Sequence, residues 1–228
     1  MDDASPGAER RGTRGPRPSR SRTEIVDAAV ALADAGGTPA LTLRATARTV
    51  GLAPAALYRY VATHEELVES AADRALEALS VPSPTGDRSA DLVALARAQV
   101  AVLRRHPWLI DLLPTLRPGP VAIEVLDAGL GMLDGTPGGG AQHLETLALL
   151  TGVASLFARS AIEPSPRTIA ALQAAAATHP RLAAAFAQPG RASAEEDLLE
   201  RTVRALVGDL PAAERGPDDG ARSTTLHD

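Results

Sequence analysis

Thr42-Leu43-Arg44-Ala45-Thr46-Ala47-Arg48-Thr49-Val50-Gly51-Leu52-Ala53-Pro54-Ala55-Ala56-Leu57-Tyr58-Arg59-Tyr60 is the stretch that decides the fold of this 228-residue chain. Thr42 has the chemistry of an N-cap for a short helix from Leu43 to Val50, since its hydroxyl can accept an orphan amide of the first turn. Gly51 ends that helix, because a residue without a Cβ takes the left-handed turn at little cost. Pro54 suits the first position of a third helix that ends near Tyr60. Upstream, Ile25, Ala28, Ala29, Leu32 and Ala33 recur at helical spacing and predict a helix from Ser21 to Ala35, stopped by Gly36-Gly37. Two short helices joined by a glycine turn and braced by an earlier helix make a helix-turn-helix.

Helical geometry then sorts the third helix. At about 100° per residue, Leu57 and Val61 fall together and face the core, while Ala55, Ala56 and Arg59 point away and Tyr58 and Tyr60 flank them. Small alanines let a backbone approach base edges and thymine methyls, and tyrosine hydroxyls reach phosphates on either side. The chain holds no Asn and the motif no Gln, so bidentate amide readout of adenine is absent. Arg44 or Arg59 on guanine O6 and N7 is the remaining direct readout. For Arg59 the competing reading is a solvated or phosphate-facing side chain.

Outward from the motif, Thr63-His64-Glu65-Glu66 has the pattern of a capping box and opens a fourth helix to about Leu79. Val81 to Asp87, with two prolines and a glycine, reads as a junction. Further helices are predicted near 89–105, 107–113, 119–133, 141–162, 166–178, 180–187 and 194–208. The resulting organisation is a disordered basic arm over 1–21, a helix-turn-helix domain over 22–64 and a connecting helix over 65–80. A helical domain over 88–210 and a disordered tail over 211–228 complete it. About a fifth of the residues are Ala and only 2% are aromatic, which favours closely packed helices and an all-α class.

The net charge of −5 argues at first against a nucleic-acid partner, but its distribution reverses that. Residues 1–64 carry nine Arg against six acids, and residues 65–228 carry fourteen against twenty-two. A basic quarter on an acidic body suits one phosphate-facing domain and one that faces elsewhere. In the arm, Arg10, Arg11, Arg14, Arg17, Arg20 and Arg22 either follow phosphates, enter a minor groove, or form a solvated tail.

The run from Leu41 through Val61, followed by Glu65-Glu66-Leu67, resembles the DNA-binding domain of tetracycline-repressor-type (TetR family) regulators over about residues 22–70. The resemblance implies phosphate contacts from Thr42, Tyr58 and Tyr60, a groove contact from Arg44, and base-edge contacts from Pro54, Ala55 and Ala56. His64 stands where members often carry a phosphate-binding Lys; the alternative is a residue that only builds the capping turn. Two departures are visible. Ala53 replaces the usual Ser or Thr cap of the third helix, at a local cost of about 1 kcal/mol. Thr46 replaces an aliphatic residue of the second helix, which predicts a looser small core.

In the second domain, Thr146 to Ala158 carries no charge, so that helix is buried on most sides. Leu199, Val203, Leu206 and Leu210 recur along the last helix. Helices of these two kinds, near 141–162 and 194–208, can form a four-helix bundle between two copies, and the resemblance implies such a homodimer. A monomer with a docked terminal helix is the alternative. His106-Pro107-Trp108-Leu109-Ile110, Gly119-Pro120, Leu126-Asp127-Ala128-Gly129-Leu130 and His179-Pro180-Arg181-Leu182 resemble an actinobacterial subgroup of TetR-type C-terminal domains. That implies an effector pocket, for which Trp108, Met132, His143, Leu147 and Phe157 are candidates, although each taken singly reads more readily as plain core.

The implied function is a ligand-responsive homodimeric repressor, released from a palindromic double-stranded DNA operator by a small apolar or amphipathic effector. An activator, or an architectural DNA-binding protein without effector, is the alternative. No P-loop, GxGxxG, HExxH, GxSxG or CxxC pattern occurs and the five histidines are far apart, so no enzyme, cofactor or metal site is expected. Without a long apolar run or a signal-type N-terminus, the chain is expected to be cytoplasmic with no membrane partner.

Overall fold

A computed structural model describes residues 20–136, 138–159, 165–187 and 195–208. The arm before residue 20 and the tail from 211, with Leu210, lie outside them. The described residues form helices and turns, with no strand among them. In chain order the helices are α1 (Arg22–Gly36), α2 (Leu43–Thr49), α3 (Pro54–Leu57), α4 (His64–Leu76), α5 (Arg88–Arg105) and α6 (Leu109–Leu112), then α7 (Pro120–Gly131), α8 (Gly140–Arg159), α9 (Pro166–Ala176), α10 (Pro180–Ala187) and α11 (Glu195–Gly208). None is long and apolar enough to cross a membrane.

Local chemistry explains the first four. Ser21 and Glu24 close a reciprocal capping box at the start of α1. The Thr42 hydroxyl accepts from Ala45 N at 3.1 Å and starts α2. Gly51, at φ 71°, supplies the left-handed residue between α2 and α3. Ala53 gives α3 no side-chain cap, and α3 is correspondingly brief: one turn to Leu57, then a tight turn in which Tyr60 N reaches Leu57 O at 2.8 Å. The helix expected to run to Tyr60 is therefore shorter as a regular helix. Likewise α4 ends at Leu76, and Leu79 N bonds to Leu76 O at 2.8 Å in a tightened last turn. Thr46, completely buried, satisfies its hydroxyl on Thr42 O at 3.0 Å, so the departure from an aliphatic residue leaves no orphan donor.

Ile25, Ala29, Leu41, Leu57, Val61, Leu67 and Ala71 form the small core, with α4 lying along α1. In the larger body α5 runs against α8 and α11. Leu199 and Val203 of α11 are buried in that same chain's core. The predicted seam of α11 is thus largely used internally, whereas Leu144, Leu149 and Leu156 of α8 stay exposed. α9 and α10 pair with each other and bury no residue.

One carboxylate ties the small unit to the body. Asp34, in the last turn of α1, accepts from His106 Nδ1 and from Trp108 Nε1, both at 2.7 Å and both on Oδ1. His106 and Trp108 are buried, at 6% and 5% exposure. Asp34→Ala leaves two buried N–H groups without an acceptor, and each such group costs about 1–3 kcal/mol. The expected outcome is a fall in melting temperature of about 2–4 °C per kcal/mol lost. Thermal denaturation followed by the fluorescence of Trp108, the sole tryptophan, measures it; an unchanged midpoint and emission would show that the bonds contribute nothing.

Candidate nucleic-acid interface and a neighbouring cavity

The buried side of the α3 turn is Leu57 and Val61, at 0% and 1% exposure. Its outward side carries Pro54, Ala55 and Arg59, all exposed, with Ala56 half-buried. Tyr58 is 56% exposed, while Tyr60 is half-buried and its carbonyl accepts from Arg22 Nε at 3.4 Å. On α2, Thr42 and Arg44 are exposed. One ring nitrogen of His64, Nε2, lies 2.7 Å from Leu41 O. A carbonyl only accepts, so Nε2 carries the proton and pins the first turn of α4 to the residue before Thr42. These side chains line the outside of one compact unit, which brings the predicted contacts together.

The arginines of this unit divide into two sets. Arg20 pairs with Glu24 and donates to Val50 O; Arg22 pairs with Glu66; Arg74 pairs with Asp27 and Glu77. Arg44, Arg48 and Arg59 have no acid partner among the described residues. Arg20 and Arg22, expected in the basic arm, thus hold the fold together. Arg48 was not among the expected contacts, although its spacing of four from Arg44 places both on one face of α2. Acids that steady the unit are themselves stabilised as anions. Ala62 N and then Arg22 hold the Glu66 carboxyl below its ordinary value, and Ser21 N and then Arg20 do the same for Glu24.

Behind the unit lies a cavity of about 390 Å³, within the range of small-molecule pockets. α4 contributes Ala72, Asp73 and Leu76; α5 contributes Gln99, Val102 and Leu103; α7 contributes Ala122, Val125 and Leu126; α8 contributes Ala148, Thr151, Gly152 and Ser155. None of the five expected pocket residues lines it. Trp108 turns its indole to Asp34, and Met132, Leu147 and Phe157 are buried core at 5%, 4% and 3% exposure. His143 meets Thr136 Oγ1 at 2.8 Å, in the first turns of α8. The physical reason is simple: bulky side chains fill the interior at close-packed density, and space remains where side chains are small.

Asp73 sits on the cavity wall and also on the joint between α4 and α7. Its Oδ1 accepts from Val121 N at 3.0 Å and Ala122 N at 3.2 Å, capping α7 from another helix. Gly119 permits this approach, since a Cβ there would stand 2.5 Å from Asp73 Cγ. Beside the cavity opens a more polar cleft of about 550 Å³, which shares Glu69, Asp73 and Arg117 with it. Among the described residues, no cluster of three or more His, Cys, Asp or Glu is arranged to hold a metal ion.

Fold and site together define a helix-turn-helix protein in which α4 also walls a cavity. The sequence profile of the bacterial regulatory proteins, tetR family, matches residues 25–71. The HTH-type transcriptional repressor DrrR1 of Streptomyces coeruleorubidus is 38% identical over 128 residues, covering 54% of this chain and 47% of that protein. The chain thus spans about half the length of this curated relative. A candidate transcription regulator of Streptomyces coelicolor, SCO7704, superposes with a TM-score of 0.63 at 30% identity, over 90% of this chain and 100% of the other. The TetR family protein ActR of Streptomyces coelicolor, in complex with actinorhodin, shares the fold at a TM-score of 0.68 and 20% identity, over 83% and 96% of the two chains. The chain belongs to the tetR family of bacterial regulatory proteins.

The anchoring carboxylates give a pH dependence with a definite sign. Glu24 and Glu66 have folded pKa values below the ordinary glutamate value. Their stabilisation is therefore present above about pH 4.5 and is lost as pH falls through the lower folded value. Melting temperature should decline on acidification below that point, and the decline should be shallower in Glu66→Gln. Equal slopes for the two proteins would show that Glu66 is not a linked group.

Proposed function

We propose that this chain is a homodimeric transcriptional repressor, released from a palindromic operator by a small apolar or amphipathic effector that enters the cavity. The observation that carries the reading is the double use of α4: Leu67, Val68 and Ala71 belong to the helix-turn-helix core, while Ala72, Asp73 and Leu76 wall the cavity. A ligand pressing on that wall acts on the element that orients the DNA-binding unit, which gives it different affinities for two arrangements. An architectural protein without effector would have no use for the cavity. The names of the repressor DrrR1 and of the ActR–actinorhodin complex support the same reading.

In this proposal Thr42, Tyr58 and Tyr60 contact phosphates, Pro54, Ala55 and Ala56 lie against base edges, and Arg44 reads a guanine. Arg48 and Arg59 neutralise phosphates. The Nε2 of His64 is occupied by Leu41 O, so its role is to fix the α2–α4 corner on which Thr42 sits. The exposed Leu149 and Leu156 of α8, with open space at Gly152 between them, support a second copy docking on that face. The domain limits proposed are 22–64, 65–80 and 88–210 for DNA binding, connection, and effector binding with dimerisation.

Selection of bound duplexes from a random pool should enrich an inverted repeat, and a compound that melts the complex should also raise the melting temperature of the free protein. Enrichment without dyad symmetry would overturn the dimer. Arg44→Ala should relax preference at one guanine per half-site by about 1–3 kcal/mol. A uniform loss over all sequences would instead make Arg44 a phosphate contact. Leu149→Glu combined with Leu156→Glu should yield monomers in sedimentation and abolish binding to the inverted repeat; dimers in this variant would move the interface elsewhere.

A further inference from the structure

Two apolar surfaces of this chain are left uncovered, and their charges are opposite. Helices α9 and α10 pack against each other and bury none of their residues. Ile169, Leu172 and Phe186 are exposed on this hairpin. Large apolar side chains gathered on one short unit mark a surface that meets another surface. Residues 165–187 include Arg167 and Arg181 and no acid. The second surface belongs to α7 and α8, where Ile123, Leu126 and Leu144 are exposed. Residues 119–158 include Glu124, Asp127, Asp134 and Glu145 and no Arg. None of these arginines and acids has an ion-pair partner among the described residues. No extensive packing joins the hairpin to α7 or α8 of its own chain.

Resting on the homodimer reading above, we propose that the α9–α10 hairpin of each copy lies over α7 and α8 of its partner and completes the partner's cavity. Two different patches on one chain close into a dimer when a two-fold axis makes each copy both give a hairpin and receive one. Arg167 and Arg181 face the acids of α7 and α8, which fixes the orientation, while apolar contact supplies the stability. Leu126, Ala148 and Gly152 are exposed and also line the cavity, so a hairpin on this face closes the cavity toward solvent on that side. Phe186 then brings to the site an aromatic group that the wall of the single chain lacks. Filling of the cavity and seating of the hairpin are thereby linked, each favouring the other.

The chain contains no cysteine, so a single introduced thiol reports on its own surroundings. In the full-length dimer, Leu126→Cys should react with N-ethylmaleimide about tenfold more slowly than in the same chain carrying Leu172→Ser and Phe186→Ser. The protection should vanish on dilution to monomers. Arg167→Glu with Arg181→Glu should weaken the dimer about tenfold in sedimentation equilibrium and uncover the thiol. Adding Glu124→Arg and Asp127→Arg to that chain should restore both, which residues serving only their own helices would not do. All of these positions are exposed, so the substitutions leave the core of the fold untouched. Fast labelling in the dimer, protection that survives in the monomer, or a charge exchange that restores nothing overturns the seating of the hairpin. A native chain that stays monomeric at every concentration overturns the homodimer reading, and this contact with it.

Discussion

Helix α4 has two obligations, and Asp73 is where they meet. Leu67, Val68, Ala71, Ala72 and Ala75 of α4 are apolar and buried and α4 packs along α1, so hydrophobic contact fixes the helix in the helix-turn-helix core. Between Ala72 and Ala75 the same helix presents the Asp73 carboxylate, which accepts the first free amides of α7. A helix start has orphan N–H groups and a positive partial charge, so an acid supplied from outside serves as both cap and counter-charge. Gly119 is what lets the acid come this close. The wall of the cavity, the start of α7 and the brace behind the recognition turn thereby become parts of one arrangement.

The charges of the small unit obey a similar division of labour. An acidic protein binds a polyanion only if its cations are local and unneutralised. Here Glu24, Glu66 and Asp27 pair with Arg20, Arg22 and Arg74 in holding α1 to α4 and its flanks. The arginines left over, Arg44 and Arg48 on α2 and Arg59 after α3, are exposed, as is the small Ala55. Exposed ion pairs of this kind add little stability each, but they neutralise three of the unit's arginines.

What the sequence makes legible is local. Thr42, Gly51, Pro54 and the Thr63 turn declare their roles through caps and backbone angles that depend on neighbours within four residues. The cavity does not, because a void is set by where side chains on five helices stop. Attention to Trp108, Met132 and Phe157 finds the residues that fill space, whereas Ala72, Ala122, Ala148 and Gly152 mark the space that is left. One signal was available. Asp34 is an acid in the last turn of α1, where the helix dipole disfavours negative charge. An acid in that place implies a donor from elsewhere in the chain, and His106 and Trp108 supply it across more than seventy residues.

Asp34 and Asp73 are alike in a way that bears on regulation. Each places one carboxylate oxygen under two N–H donors of the body, one from the last turn of α1 and one from the last turn of α4. Hydrogen bonds are short-ranged and directional, so either point resists translation far more than rotation. In the effector reading proposed above, a ligand in the cavity touches the wall to which Asp73 belongs, whereas Asp34, His106 and Trp108 do not line it, so the two anchors differ in their exposure to a ligand.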